Sequence, residues 1–149
     1  MTLPDFPREF TATFGALAFD FGTQRIGLAH GQNVTGTAQP LQVIAANDGV
    51  PNWNEVEAVI KKWQPTLLVV GLPYNMDGTR SALCDRAEKF ARRLQGRFNL
   101  PCYGIDERLS SAAAEELRNP ENKNVSKDSL AAQVILETWF NELKSRSRN

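Results

Sequence analysis

A chain of 149 residues, 42% apolar and 23% charged, has the make-up of one soluble globular domain with a sizeable core. No apolar stretch approaches the ~20 residues that span a bilayer and no signal-peptide pattern opens the chain; the single histidine weighs against a His/Cys zinc centre, and Cys84 and Cys102 form no CxxC pair, so a reducing, cytoplasmic setting is expected. The formal net charge of zero weighs against a protein gripping nucleic acid through a large overall positive field, and leaves room for a local basic surface.

Residues 1–14 carry Pro4 and Pro7, show no clear period, and are expected to form an extended arm. Residues 15–21 (GALAFDF) read as a buried strand. After a turn at 22–24, residues 25–30 read as a second strand and 37–44 as a third, and the short connections predict an antiparallel meander. A helix follows. Asn54 and Glu57 have capping-box spacing, Val56, Val59, Ile60 and Trp63 recur at helical intervals, and Pro65 ends it. The run TLLVVGL (66–72) suits a strand covered on both faces. PYNMDG (73–78) is a loop. Residues 79–97 are predicted helical, with Leu83, Ala87, Phe90, Ala91 and Leu94 on one stripe, and CYGID (102–106) is a fifth strand. SSAAAEELR (110–118) reads as a short helix capped by Ser110 or Ser111, and NPENKNVSK (119–127) as a polar loop. The last helix is expected over 126–143, with 144–149 a basic tail. The predicted architecture is α/β: one domain over 15–143, a five-stranded mixed sheet with its first three strands antiparallel, flanked by helices.

Three acidic positions stand out. Asp20 lies in an apolar run, where burying an unpartnered carboxylate is costly. It is either a turn residue ahead of Gly22 or a metal ligand or acid at the end of a core strand. Asp128 opens the last helix. Ala131, Ile135, Trp139 and Leu143 follow it at +3, +7, +11 and +15, and at 100° per residue all fall within about 60° of its direction. Asp128 therefore points toward the sheet, which a cap or a dipole-compensating acid need not do. Asp106 and Glu107 leave the fifth strand together. Neighbouring strand residues point to opposite faces, so one of the pair faces any shared site; a surface ion-pair cluster with Arg108 is the other reading. Carboxylates converging from separate elements repel one another and are tolerable around a cation. Oxygen-only ligands favour Mg²⁺ or Mn²⁺ over Zn²⁺, and two such ions about 4 Å apart serve phosphodiester hydrolysis.

The stretches DFGTQRIGLA (20–29), GTAQPL (36–41), VVGLPYNMDGT (69–79), DERLSS (106–111) and DSLAAQVIL (128–136) occur in that order. From about residue 15 to 143 the chain resembles the YqgF-type (RuvX-like) family, Holliday-junction-resolvase-like proteins linked to maturation of the small-subunit (16S) rRNA precursor. The resemblance implies a ribonuclease-H-like fold and a metal-dependent nuclease with an acidic triad, whose positions match Asp20, Glu107 and Asp128. It is the resemblance that selects Glu107 over Asp106. It further implies Mg²⁺ or Mn²⁺ as cofactor and, as substrate, the 5′ end of pre-16S rRNA or branched DNA. Two stretches depart from the family pattern. AHGQ (29–32) stands where Ser-Asp is frequent, and His30 is read as a strand-end side chain outside the site. RSALC (80–84) stands where acidic and glycine residues are common, which bears on substrate contacts and leaves the triad intact.

For contacts with nucleic acid, Asn75, Asp77, Gly78 and Thr79 fill the loop ahead of the second helix, a place suited to phosphate oxygens or to a plain turn and cap. Arg25, Arg80 and Arg108 lie toward the catalytic end and are the candidate phosphate contacts. Arg86, Lys89, Arg93 and Arg97 line one edge of that helix, an arrangement most often simply solvated. The sequence identifies no exposed aromatic for base stacking beyond the bare candidates Trp53 and Tyr74. Two other functions compete. A non-catalytic RNA-binding assembly factor is argued against by the intact carboxylates. An ATP-binding domain of the actin or Hsp70 type is suggested by DFGT (20–23) as a D-x-G-T loop, but the chain has room for one such domain and shows no second loop. Either a monomer or a homodimer fits these readings.

Overall fold

The computed structural model describes residues 3–8, 13–109 and 126–147. Its elements are β1 (Gly15–Asp20), β2 (Arg25–Gln32), β3 (Thr37–Asn47), β4 (Val50–Pro51), α1 (Trp53–Trp63), β5 (Leu67–Leu72), α2 (Ala82–Phe98), β6 (Cys102–Asp106), a 3-10 turn (Glu107–Leu109) and α3 (Lys127–Ser147). The sheet order is β4-β3-β2-β1-β5-β6. β1, β2 and β3 pair antiparallel, and β5 and β6 extend the sheet parallel to β1. This is the mixed α/β arrangement expected from the sequence, with the first three strands antiparallel.

The sixth strand was not expected. β3 runs on to Asn47 and folds back through Asp48 (φ 50) and Gly49 (φ 84) to pair Asn47 with Val50. Positive φ at both central residues marks a two-residue type I′ hairpin, which the Asp-Gly pair favours. The helix starts also move. Asn52, not Asn54, caps α1, its side chain accepting from the Asn54 N–H (3.0 Å). Ser81 caps α2 by accepting from the Cys84 N–H (2.9 Å), so residues 79–81 belong to the loop. Leu83, expected on the buried stripe, is 38% exposed in the first turn, and Cys84 is buried there instead, with Ala87, Phe90, Ala91 and Leu94 as expected. α3 continues past 143 to Ser147, through part of the expected tail. The helix and loop expected at 110–118 and 119–127 lie, but for the last two residues, outside the described residues.

The sheet is buried on both faces, so its central strands lack polar alternation and read as continuous apolar runs. The faces differ in side-chain size. On the α1/α2 side β1 and β2 present Leu17, Phe19, Ile26 and Leu28, packed against Val56, Phe90 and Leu94. On the α3 side the same strands present Ala16, Ala18, Gly27 and Ala29, and the bulk comes from the helix as Ile135, Leu136, Trp139 and Phe140. Small strand residues let α3 lie close to the sheet. The buried wedge of α3 runs through Ser129, Ala132, Leu136 and Trp139, while Ala131, expected on the buried stripe, is half-buried. The arm closes the β6 edge. The Gly104 N–H donates to Pro4 O (3.0 Å), the Trp139 indole N–H donates to Asp5 O (2.8 Å), and Phe6 stacks on Trp139. His30, at the end of β2 remote from Arg25, stacks on Trp63 (centroids 4.6 Å), and burial lowers its pKa.

Candidate active site

Alternation along β1 decides where Asp20 points. Leu17 and Phe19 face α1 and α2; Ala16 and Ala18 face α3, and Asp20 continues that second series at the C-terminal end of the strand. The same parity on β6 puts Tyr103 and Ile105 on the α3 side, which carries Glu107 toward Asp20 and turns Asp106 away. Asp106 is instead clamped by Arg108, whose Nη2 lies 2.6 Å from Oδ2, and these hydrogen bonds hold the Asp106 carboxyl below the usual carboxylate range.

Two glycines flank Asp20 and let the other acids approach. Gly27 on β2 is Asp20's antiparallel partner. A Cβ built on it would stand 2.0 Å from the Asp128 carbonyl oxygen, so the first turn of α3 rests directly on the β2 backbone. Gly71 on β5 plays the same part on the other side, where a Cβ would meet Glu107 Oε1 at 2.6 Å. Glycine inside a strand marks such close approach. RIGLA and VVGLP therefore carried a signal that the acidic residues alone did not. The sequence reading also missed Ser129, fully buried beside Asp128, whose hydroxyl oxygen has no hydrogen-bond partner among the described residues.

The site is electrostatically tense. Burial foremost, then the charge of Glu107 and a hydrogen bond with it, then the charge of Asp128, push the Asp20 carboxyl from 3.8 up to about 8. Burial likewise raises Glu107, while its hydrogen bond to Asp20 acts in the opposite direction. At neutral pH Asp20 keeps its proton, in a hydrogen bond with Glu107. Asp128 is one-third exposed and faces Arg25, whose Nε lies 3.1 Å from Oδ2. Among the described residues no group of three or more His, Cys, Asp or Glu side chains is placed to hold a metal ion. The donor set nonetheless suits a hard cation: all oxygen, with a proton standing between two acids that burial and mutual charge set against each other.

The expected nucleic-acid contacts are less uniform. Arg25 is two-thirds exposed at the site's edge. Arg108 lies at the same end, over the Tyr74 ring (5.7 Å) and against Met76 O (3.4 Å), tying the 74–79 loop to the turn that carries Glu107. Asn75 and Thr79 spend their side chains on that loop: Asn75 Nδ2 donates to Thr79 Oγ1 (2.9 Å), and Thr79 Oγ1 donates to Asp77 Oδ1 (2.6 Å). Arg80 points away from the acids, into α2. Its Nη2 lies 2.7 Å from both Asp85 and Glu88, and Glu88 is only 2% exposed, so Arg80 neutralises a buried carboxylate. Trp53 is packed on Phe90 beneath Arg97.

Known proteins resemble this chain in sequence and in fold. Residues 15–142 match the family described as RuvX, Holliday junction resolvase. A "putative pre-16S rRNA nuclease" of Actinobacillus pleuropneumoniae is 57% identical over 129 residues, covering 83% of this chain and 94% of that protein. A protein of the same name from Pseudomonas fluorescens is 52% identical over 132 residues, covering 85% and 91%. Among solved structures, Thermus thermophilus RuvC in complex with a Holliday junction substrate superposes with a TM-score of 0.55 at 12% identity, covering 87% of this chain and 96% of that one. The yeast mitochondrial Holliday junction resolvase Ydc2 superposes at 0.51 with 11% identity, covering 89% and 81%. At such identities these two show the fold alone, the ribonuclease-H-like fold of the resolvases. With its sequence match spanning most of the chain and its close relatives at more than half identity, the protein belongs to the RuvX family.

Proposed function

We propose that this protein is a divalent-cation-dependent nuclease that hydrolyses phosphodiester bonds in 5′-end processing of pre-16S rRNA. The observation that carries this reading is the Asp20–Glu107 pair: two carboxylates driven together over a glycine floor and relieved by the proton that Asp20 keeps. A structural role would be served better by apolar residues. The names of the close relatives support the substrate, and such a precursor places the work in the bacterial cytoplasm.

Asp20, Glu107 and Asp128 would hold Mg²⁺ or Mn²⁺. When bound, the cation lowers the pKa of an attacking water and offsets charge on the reacting phosphate oxygens. The rest falls to the protein's own groups. Asp20 surrenders its proton as the site is loaded. Arg25 holds Asp128 in place and, at the rim, meets a phosphate flanking the scissile one. Arg108 keeps Glu107's turn and the Asn75–Thr79 loop together as one wall of the cleft. Trimming RNA needs one such site and a monomer; a symmetric junction would need two.

The test gives the purified protein precursor 16S rRNA and a four-way DNA junction, each with Mg²⁺, Mn²⁺ or EDTA, beside Asp20→Asn and Asp128→Asn. RNA cleavage that needs the cation and vanishes in both variants is expected. Cleavage that survives both substitutions would sink the mechanism, and cleavage of the junction alone would move the substrate to DNA.

A further inference from the structure

One residue past Asp20 the chain crosses to the other face of the sheet, where Phe21 packs on Phe90 of α2 with ring centroids 5.2 Å apart. The two rings floor a cavity of about 230 Å³. The Asp48–Gly49 hairpin forms one wall. It is held to the β1–β2 turn by the Gly49 N–H donating to Thr23 O (2.8 Å), and to α2 by Arg86 Nη2 donating to Asp48 O (2.7 Å) and Oδ1 (2.9 Å). Lys89 and Arg93, one turn apart on α2, form the other wall. Both are exposed, and neither has a hydrogen bond or ion pair among the described residues. Asp48 is the acidic residue lining the cavity, and Arg86 already neutralises it.

A basic helix edge alone is usually solvated. Here the two unpaired cations converge on a hollow whose floor begins at the residue after Asp20. We propose that this hollow docks the phosphodiester backbone of a single strand continuing past the cleavage point around the end of β1, with phosphates against Lys89 and Arg93. The inference rests on the nuclease reading for the strand's origin. It adds a second contact region, on the opposite face of the sheet from the carboxylates.

The experiment compares the full chain with Lys89→Gln/Arg93→Gln. A control, Lys61→Gln/Lys62→Gln on α1, removes the same charge elsewhere. Fluorescence anisotropy follows a labelled single-stranded RNA and a DNA of the same sequence, in EDTA, over a series of salt concentrations. The expected result is affinity about tenfold lower at low salt for the α2 pair, and a log–log salt slope shallower by about 1.4, for RNA and DNA alike, since phosphates are what these side chains meet. With Mg²⁺, KM for cleavage rises by the same factor and kcat holds. A slope and affinity no different from the control overturn the docking site even if the enzyme cuts RNA, and so does a wild type that binds neither strand. Wild type that binds through the α2 pair but cuts nothing keeps the docking site and sinks the nuclease reading.

Discussion

The two faces of the sheet solve different problems with the same strands. Toward α1 and α2 the strands present large apolar side chains, and the helices stand off on them. Toward α3, β1 and β2 are stripped to alanine and glycine, and the helix comes down until a backbone carbonyl rests on Gly27. The first face stabilises. The second trades that packing for the approach of three carboxylates. Phe19 and Asp20, adjacent in β1, fall on opposite sides of this division and give the sharpest way to break it. Phe19→Ala is expected to cost about 3–5 kcal/mol by denaturant titration while the cleavage rate per folded molecule holds. Asp20→Asn is expected to cut cleavage by a factor on the order of 10³ without lowering stability. Loss of turnover in folded Phe19→Ala would show that the faces are not separable.

How far this division was legible depended on strand parity. Asp20 and Asp128 were identifiable because one sits in an apolar run and the other on an apolar helix stripe. Strand pattern alone did not separate Glu107 from Asp106, since a shift of one residue exchanges the faces; only the family resemblance selected Glu107, and the end of β6 supplies the physical reason. The β3–β4 hairpin was marked by Asp48–Gly49 and went unread because the third strand was ended at 44. Arg80 counted as a phosphate contact because sequence spacing does not show that the loop before α2 folds its guanidinium onto Glu88, eight residues on. Gly27 and Gly71 lay inside the quoted motifs. Their role appears only when the helix and the 3-10 turn are seen lying on them.

The α3 face also carries a pH signature, opposite in sign to that of His30, whose pKa burial lowers on the α1/α2 face. Asp20's carboxyl titrates near 3.8 in the unfolded chain and near 8 in the fold. Between these values the native state holds a proton that the unfolded state has lost, so stability is full below about pH 4 and falls as pH rises toward 8. The steepest slope one group can give is about 1.4 kcal/mol per pH unit, and Glu107, also raised, acts in the same direction. In EDTA, thermal unfolding of the wild type between pH 5 and 8 should show this decline and Asp20→Asn should flatten it. Mg²⁺ at pH 8 should raise the wild-type Tm and leave that of Asp20→Asn unchanged. Parallel pH profiles for the two proteins would mean that Asp20 carries no such tension.

The glycine floor comes next in size. In Gly27→Ala the new methyl meets main chain, the Asp128 carbonyl at 2.0 Å, and the first turn of α3 must lift. A loss of about 1–3 kcal/mol is expected, with cleavage falling too. In Gly71→Ala the methyl meets the ends of two side chains, Glu107 Oε1 and Ile135 Cδ1, both at 2.6 Å. These can turn aside, so the stability loss should be the smaller of the two. Displacing Glu107 should still reduce cleavage at saturating cation. Equal stability losses would mean that the helix is free to shift and that the close approach is not what holds Asp128 in place.

Arg25 is where the α3 face meets solvent, and there the smallest effect is expected. The Arg25–Asp128 pair is two-thirds exposed on one side and one-third on the other, and exposed ion pairs contribute about 0–1 kcal/mol. Arg25→Gln should therefore move the denaturation midpoint little. If Arg25 also meets a phosphate, the variant should raise KM severalfold with kcat nearly intact, and the difference should fade as salt rises, because an exposed contact is screened. A kcat loss as large as that of Asp128→Asn, undiminished by salt, would instead put Arg25's main work in holding Asp128, and would move the boundary between the positioning and substrate-binding parts of the face inward by one residue.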